Sequence, residues 1–218
     1  MLKLEHQTLN DRAYVALKQE LISGGFSPGQ ALVIRKLAET FGISTTPIRE
    51  ALQRLVAERL LEMQNNRSVI VPLLTSSAFE ELTRIRVAVE GLAGEMAASR
   101  MTQSGLADLR TTLAGMRQAI EAGDAKAYLR LNELFHFAIY GHAGAPILFN
   151  MIRDLWGRVG PYLTLLMQAD DYVPQSNDAH VRIVAALDQG DAAAVRLSIE
   201  QDIAAAAAIL SATLRVTG

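Results

Sequence analysis

Three polar side chains in the second half of the chain have the chemistry of metal ligands. Asn132 and His136 are four residues apart, which puts both on one face of a helix. His180 lies in a later helical segment, near the apolar residues Ile183 and Val184. Imidazole nitrogens bind divalent ions, but isolated histidines more often form ordinary hydrogen bonds in a protein core. The spacing leaves both interpretations open.

Arg86 is a second candidate, because it lies between the apolar residues Ile85 and Val87 on a predicted long helix. If it points inward, its guanidinium can hold a carboxylate ligand through two parallel hydrogen bonds. Glu90, four residues further on, offers the simpler alternative of an ion pair within one helix. The sequence therefore predicts either an effector-binding arginine or an Arg86–Glu90 pair.

A third polar group lies at the start of another helical segment and contains Thr45, Thr46 and Arg49. The same segment carries four apolar residues at core spacing, Ile48, Ala51, Leu52 and Leu55. Because the apolar residues point to a core, the threonines and the arginine point elsewhere. Hydroxyl and guanidinium groups at the exposed start of a helix predict contact with DNA.

The element that positions this group is a predicted helix-turn-helix between Leu37 and Leu52. Gly42 lies where the turn requires a positive φ, and Ser44 is a good N-cap for the second helix. Pro47 falls in the first helical turn, where its missing N–H does no harm. The second helix is then the one that reads DNA.

The segments on either side complete a small domain. Residues 9–22 carry apolar side chains at helical spacing and predict a first helix. Between residues 61 and 71 the pattern changes to period two, which predicts a β-hairpin with Asn65 and Asn66 at its tip. A hairpin directly after a recognition helix makes a winged helix-turn-helix. Such a hairpin can contact DNA or only cover the core. The presence of Arg67 at its tip favours contact with the DNA backbone or minor groove.

The remainder of the chain predicts about six helices joined by short connections. Residues 72–76 form a linker, and Ser77 and Glu80 make a capping box that opens a long helix. The later helices are predicted to begin near Ser104, Asp124, Pro146, Asn177 or Asp178, and Asp191. Short connections between helices favour an antiparallel bundle.

The predicted fold is mainly α, with a winged helix-turn-helix domain in residues 1–74 and an all-helical antiparallel bundle in residues 75–218. The chain has a net charge of −2, but the first part holds nine Lys/Arg against seven Asp/Glu and the second twelve against sixteen. The basic excess therefore lies with the helix-turn-helix. Because it is small, we expect modest non-specific DNA affinity and two copies of the chain on the DNA.

Composition excludes several kinds of protein and site. The chain has no cysteine, which excludes disulfides and thiolate metal sites and suits a reducing cytoplasm. Its first seven residues are too polar for a signal peptide. The most apolar late stretch, residues 203–210, is far shorter than a membrane span. We expect a cytoplasmic protein that makes no membrane contact.

These motifs resemble a known family. The segment Thr46–Leu52, preceded by Leu37-Ala38 and Phe41–Ser44, is similar to the DNA-binding domain of the GntR superfamily of bacterial transcription regulators. The helical remainder looks like the FadR-type ligand-binding domain, also called the FCD domain. The matching residues there are Arg86, Glu90, Asn132, Phe135, His136, His180, Ile183, Gly190 and Asp191.

The resemblance implies specific DNA contacts. Arg49 is the leading base or phosphate contact, and Arg35 would lie against the DNA backbone. Thr46 and the amides near Ser44 would contact phosphate at a helix N-terminus. Thr45 occupies a position where relatives usually carry an arginine that reads guanine, so we expect an altered base preference.

The resemblance also implies a metal site. FadR-type domains of the metal-binding kind place Asp or Asn and three histidines around a divalent cation, and the first three positions match Asn132, His136 and His180. The fourth falls on Asp202, where histidine is usual. This set still suits Zn²⁺, Ni²⁺ or Mn²⁺, with the carboxylate favouring harder ions. With Arg86, it suits a small organic acid that completes the coordination of the metal.

The leading hypothesis is a ligand-responsive transcription regulator that binds a pseudo-palindromic operator in double-stranded DNA as a homodimer. Repression is the commoner mode that the resemblance implies. One alternative is a constitutive DNA-binding dimer without an effector. A metal-dependent hydrolase is the other, and it is disfavoured because no residue stands out as a general base beside the ligands. We therefore expect no enzymatic activity.

Overall fold

The computed structural model describes residues 8–65, 68–167 and 172–216, apart from the side chains of 172–176 and 213–216. The N-terminal part contains three helices and three short strands within these residues. Its elements are α1 (Leu9–Ile22), β1 (Ala31–Leu32), α2 (Ile34–Phe41), α3 (Thr45–Ala57), β2 (Glu62–Gln64) and β3 (Ser68–Ile70). The predicted mainly-α fold with a winged helix-turn-helix is confirmed.

The helix-turn-helix consists of α2 and α3, which share a core with α1. Gly42 ends α2 with φ 64°, the left-handed conformation in which glycine lacks the steric penalty of a side chain. Leu17, Ile48 and Leu55 are fully buried between the three helices. Ser44 does precede α3 at the N-cap position, but its hydroxyl makes no capping hydrogen bond.

The predicted hairpin is present, and it belongs to a three-stranded sheet of order β1-β3-β2. Both neighbours of the central strand are antiparallel to it, with Leu32 and Met63 paired to Val69 from opposite sides. Asn65 turns the hairpin with φ 50°. Arg67, predicted at the tip, lies outside the described residues. The sequence did not predict β1, because two residues are too few to show a period.

Within the described part of the chain, six helices form the C-terminal bundle, in agreement with the about six that were predicted. They are α4 (Ser76–Ala98), α5 (Gln103–Glu121), α6 (Ala125–His142), α7 (Pro146–Leu166), α8 (Tyr172–Gln189) and α9 (Ala192–Val216). Helix α9 returns along α4 and packs against α8, so the last helix closes the bundle. Among the described residues, no helix is both long enough and apolar enough to cross a membrane.

Helix starts were predicted correctly where aspartate is the cap and incorrectly where several hydroxyl residues compete. Asp124 caps α6 and Asp191 caps α9, and each carboxylate accepts a hydrogen bond from the backbone amide three residues later. The cap of α4 is Thr75 rather than Ser77, since Thr75 Oγ1 accepts from the Ala78 amide at 3.2 Å. Likewise Thr102, not Ser104, caps α5. In both segments a threonine lies two residues before the predicted serine, and its hydroxyl oxygen caps the helix instead.

The start predicted for α8 at Asn177 or Asp178 is also wrong, because the helix begins at Tyr172. Pro174 lies in its first turn, where a missing amide hydrogen costs little. Helix α7 runs from Pro146 to Leu166 with Pro161 inside it.

The two parts of the chain touch along α1 and α7. A Cβ added to Gly160 would lie 2.2 Å from the Leu21 carbonyl oxygen and 2.5 Å from that of Ile22, so the backbones meet directly. The Tyr162 hydroxyl accepts from the Leu74 amide at 2.6 Å and donates to the Pro72 carbonyl at 3.1 Å. Helix α7 therefore holds both the end of α1 and the linker. The domain boundary at residues 74–75 stays a prediction.

Candidate functional site

Three of the predicted metal ligands converge inside the bundle. His136 Nε2 on α6 lies 3.2 Å from His180 Nε2 on α8 and 3.3 Å from Asp202 Oδ2 on α9. His180 Nε2 and Asp202 Oδ2 are 3.8 Å apart. All three side chains are buried. Two imidazoles and one carboxylate from three helices thus present their ligand atoms to a common point.

Asn132, the fourth predicted ligand, lies one turn before His136 on α6 and is also buried. The buried side of α6 includes Phe135 and Tyr140 as well, so a single helix face supplies most of one wall of the site. Asn132 therefore lies on the face of α6 that carries His136, and its role as a ligand stays a prediction.

The electrostatics of this cluster favour a cation. Burial lowers the pKa of His180 to about 4; the Asp202 charge opposes that shift and His136 adds to it. Burial alone would raise the pKa of Asp202, but His180, His136 and Arg86 outweigh it and the pKa is lowered. A neutral imidazole and an ionised carboxylate are the protonation states that metal ligands require. The donor set therefore fits a divalent ion such as Zn²⁺.

Aromatic rings enclose the cluster. The ring centroids of Phe135 and His180 are 4.7 Å apart, and those of Trp156 and His136 are 5.6 Å apart. Trp156 is fully buried on α7. Because the rings exclude water, charges inside the site interact more strongly than they would at the surface.

Arg86 points inward and forms the predicted ion pair with Glu90, while its role in effector binding stays a prediction. Its Nε lies 2.7 Å from Glu90 Oε1, and its Nη2 lies 3.4 Å from Glu90 Oε2. Glu90 is fully buried and accepts two further hydrogen bonds at 2.8 Å, from the Tyr140 hydroxyl and from Trp156 Nε1. Burial and the charge of Glu90 raise the pKa of Tyr140 well above its ordinary value, so the hydroxyl keeps its proton.

The contacts that Tyr140 and Trp156 make with Glu90 were not predicted from the sequence. Only Glu90 gave a signal, as a carboxylate in a helix whose neighbouring positions are largely apolar. Tyr140 and Trp156 come from segments 50 and 66 residues away from Glu90, and the sequence contains nothing that pairs them with it.

The predicted DNA-binding residues form an exposed surface on the helix-turn-helix. Ser44, Thr45, Thr46 and Arg49 are exposed around the first turns of α3, and Arg35 is exposed at the start of α2. Within residues 8–65, 68–167 and 172–216, Arg49 makes no hydrogen bond or ion pair with another side chain. Among these described residues, Arg49 therefore forms no ion pair with Glu50 or Glu39.

Polar contacts also join the DNA-binding part to the bundle, and these were missed in the sequence. Lys18 Nζ on α1 lies 2.7 Å from Asp154 Oδ1 on α7 and 3.1 Å from Glu58 Oε2. Gln19 Nε2 donates to Glu133 Oε1 on α6 at 2.6 Å. The bundle partners lie more than 100 residues along the chain, so no local pattern reveals them.

Family models match both parts of the chain. The model described as bacterial regulatory proteins, gntR family, matches residues 9–71. The model described as FCD domain matches residues 81–208.

Individual relatives give the same result. The HTH-type transcriptional regulator McbR of Escherichia coli K12 is 38% identical over 167 residues, which cover 77% of this chain and 76% of McbR. A solved structure of E. coli McbR/YncC, with 33% identity, superimposes with a TM-score of 0.88 over 94% of this chain and 98% of that one. A probable D-xylose utilization operon transcriptional repressor of Paenarthrobacter nicotinovorans is 26% identical over 93% of this chain and 89% of that repressor.

Proposed function

Since the chain belongs to the GntR family of bacterial regulatory proteins, with an FCD domain, and is a DNA-binding transcription regulator rather than an enzyme, we propose that it is a repressor controlled by a small molecule. It binds a pseudo-palindromic operator as a homodimer, and its bundle holds a divalent metal ion and a small carboxylate effector. The observation that carries this proposal is the convergence of His136, His180 and Asp202 inside the bundle.

The exposed residues at the start of α3 read the operator. Arg49 contacts a base or phosphate, and its lack of an ion pair among the described residues leaves its charge available for DNA. Thr46 and the amides near Ser44 contact phosphate, as does Arg35 from α2. Thr45 donates one hydrogen bond or packs on a thymine methyl, which lowers the preference for guanine at that base pair.

The metal ion is held by His136 Nε2, His180 Nε2 and Asp202 Oδ2, with Asn132 as a fourth ligand. Zn²⁺, Ni²⁺ and Mn²⁺ all accept this mixture of nitrogen and oxygen donors. The lowered pKa values of His180 and Asp202 support the proposal, because both groups are deprotonated at neutral pH.

Arg86 anchors the effector. A guanidinium has five N–H donors, and the two contacts with Glu90 use Nε and one hydrogen of Nη2. The remaining donors are suited to the carboxylate of a small organic acid whose other end reaches the metal. The buried position of Arg86, next to the aromatic wall that Trp156 provides, supports this role.

The bundle communicates with the DNA-binding part through α6 and α7. On α6, Asn132 lies on the face of the metal site while its neighbour Glu133 accepts from Gln19 of α1. On α7, Trp156 faces Glu90 while Gly160 contacts the end of α1. A ligand that shifts either helix therefore changes the placement of α1, and with it the spacing of the two DNA-reading helices in a dimer.

A thermal-shift screen of Zn²⁺, Ni²⁺ and Mn²⁺ crossed with small carboxylates tests the sensor. We expect at least one ion to raise the melting temperature of the wild type but not of His136→Ala, and a carboxylate to raise it further. Fluorescence anisotropy then measures the effect of each hit on operator affinity. Analytical sedimentation measures whether the protein is a dimer. Full operator binding with no response to any ion or acid would contradict the sensor function and leave a constitutive DNA-binding protein.

A further inference from the structure

A continuous chain of hydrogen bonds leads from Arg86 to the metal-ligand cluster. The guanidinium contacts Glu90, Glu90 accepts from the Tyr140 hydroxyl at 2.8 Å, and the Tyr140 oxygen lies 3.2 Å from His136 Nδ1. The other ring nitrogen of His136, Nε2, faces His180 and Asp202. Every side chain in this chain of contacts is buried.

The direction of each hydrogen bond follows from the groups at its ends. An arginine guanidinium and a tryptophan indole are donors only, so Glu90 must accept from Arg86 and from Trp156. An ionised carboxylate has no hydrogen to give, and Tyr140 therefore donates its one hydrogen to Glu90. The Tyr140 oxygen is left with lone pairs only. Its contact with His136 is a hydrogen bond only if Nδ1 carries a hydrogen, whereas the 3.3 Å contact of His136 Nε2 with Asp202 Oδ2 is one only if Nε2 does.

We propose that Glu90 and Tyr140 are positioning residues that hold His136 as the Nδ1–H tautomer and so direct the lone pair of Nε2 at the metal centre. A neutral imidazole carries one ring hydrogen, and a hydrogen on Nδ1 leaves Nε2 free to ligate. Metal-binding histidines commonly donate their second N–H to a carboxylate, which orients the ring and raises its basicity. Here a tyrosine stands between the imidazole and the carboxylate. The inference rests on the metal site proposed above.

This assignment explains why a glutamate is retained in the apolar interior of the bundle. Glu90 lies on α4, whereas its donors Tyr140 and Trp156 lie on α6 and α7. Four donor contacts satisfy its oxygens and fix its orientation. A carboxylate held in this way is the rigid acceptor that a positioning role requires.

The test compares Tyr140→Phe with Tyr128→Phe. Both tyrosines lie on α6 and are 1% exposed, so each variant removes one buried hydroxyl from the same helix. The first measurement is the tautomer of His136 in the metal-free protein, read from ¹⁵N–¹H correlations of the imidazole and assigned with His136→Gln. The second is Zn²⁺ affinity, measured by competition with a chromophoric chelator. Circular dichroism checks that each variant is folded.

In the wild type and in Tyr128→Phe we expect the Nδ1–H tautomer and the same Zn²⁺ affinity. Tyr140→Phe should give a mixture of tautomers and bind Zn²⁺ about 10- to 100-fold more weakly. If Tyr140→Phe does not fold, Glu90→Gln replaces it in the test. The glutamine amide has the shape of the carboxylate but can donate a hydrogen bond to Tyr140. Tyr140 can then donate to His136, so one tautomer is no longer selected.

An Nε2–H tautomer in the metal-free wild type, or an unchanged tautomer in both Tyr140→Phe and Glu90→Gln, would overturn the positioning role. Equal Zn²⁺ affinity in Tyr140→Phe and Tyr128→Phe would do the same. If the wild type fails to bind Zn²⁺, Ni²⁺ and Mn²⁺ alike, the metal site of the proposed function is wrong. The tautomer measurement needs no metal, so it separates these two failures.

Discussion

Gln19 on the first helix of the DNA-binding part donates its side-chain amide to the Glu133 carboxylate of the bundle, with 2.6 Å between Nε2 and Oε1. Glu133 is largely buried, and its second oxygen, Oε2, has no hydrogen-bond partner among the residues that the structure describes. The contact lies directly beside Asn132, the predicted metal ligand. A side chain of the DNA-binding part is thus connected to the helix that carries the candidate metal ligand His136.

Replacement of Gln19 by alanine should destabilise the protein. Burial raises the pKa of Glu133, which the Gln19 hydrogen bond and the Arg153 charge oppose, so the ionised form depends on these partners. Loss of a partner that leaves a buried group unsatisfied costs about 1–3 kcal/mol in the free energy of unfolding. Urea denaturation at pH 7 measures the loss. In a Glu133→Gln background, Gln19→Ala should lower the free energy of unfolding by less. An equal loss in both backgrounds would refute the hydrogen bond between Gln19 and Glu133 as the source of the stability.

Gly160→Ala should loosen the junction between the two parts. The new methyl group would lie 2.2 Å from the Leu21 carbonyl oxygen, which belongs to backbone that can move only if α1 moves. Overpacking of this kind costs about 1–3 kcal/mol in the free energy of unfolding. Gly141→Ala is the matched control, because beyond its own helix backbone a Cβ there meets no atom of the described residues within 4 Å. Chemical denaturation should show Gly160→Ala destabilised and Gly141→Ala unchanged or more stable; the same effect for both would contradict the close approach.

The metal-free protein should lose stability in mild acid because of His180. Its pKa is about 4 when folded, against an ordinary value of 6.5, so between these values the unfolded chain binds a proton that the folded protein does not. The free energy of unfolding should therefore fall as the pH drops from 6.5 to 4, by about 3 kcal/mol from this group. Denaturation across this range, with a chelator present, measures the slope. His180→Gln should flatten it; the same slope in this variant and in the wild type would exclude His180 as the source.

Arg49→Ala should weaken operator binding by about 1–3 kcal/mol, the usual contribution of an arginine contact to a base. Fluorescence anisotropy at a fixed salt concentration measures the affinity. Arg54→Ala is the control on the same helix, because Arg54 pairs with Glu58 and lies over the Tyr14 ring. Full affinity in Arg49→Ala, or an equal loss in both variants, would argue against Arg49 as a DNA contact.

Much of the fold could be predicted because its determinants are local. The ends of α1 agree with the apolar spacing of residues 9–22, and Asp124 and Asp191 cap α6 and α9 as expected. A helix cap involves an amide only three residues away, so the sequence contains both partners. Where two hydroxyl residues compete, as at Thr75 and Ser77, the sequence offers equivalent caps and the fold selects one.

The candidate site was only partly predictable. His136, His180 and Asp202 were named from their types and from a family resemblance, and they converge in the structure. The pairing of Arg86 with Glu90 was one of two alternatives, and the structure realises it with both side chains buried. Nothing in the sequence assigned Tyr140 and Trp156 to Glu90, because hydrogen bonds between helices carry no periodicity.

The sequence by itself determined which segments are helical, where the chain turns, and which residue types are available to bind DNA, a metal ion or an acid. These properties depend on spacings of two to four residues, over which backbone geometry dictates what lies on one face. Tertiary structure alone decided that Gln19 meets Glu133 and that Tyr140 bridges Glu90 and His136. Contacts between helices depend on how whole helix faces pack, and that is a property of the assembled bundle.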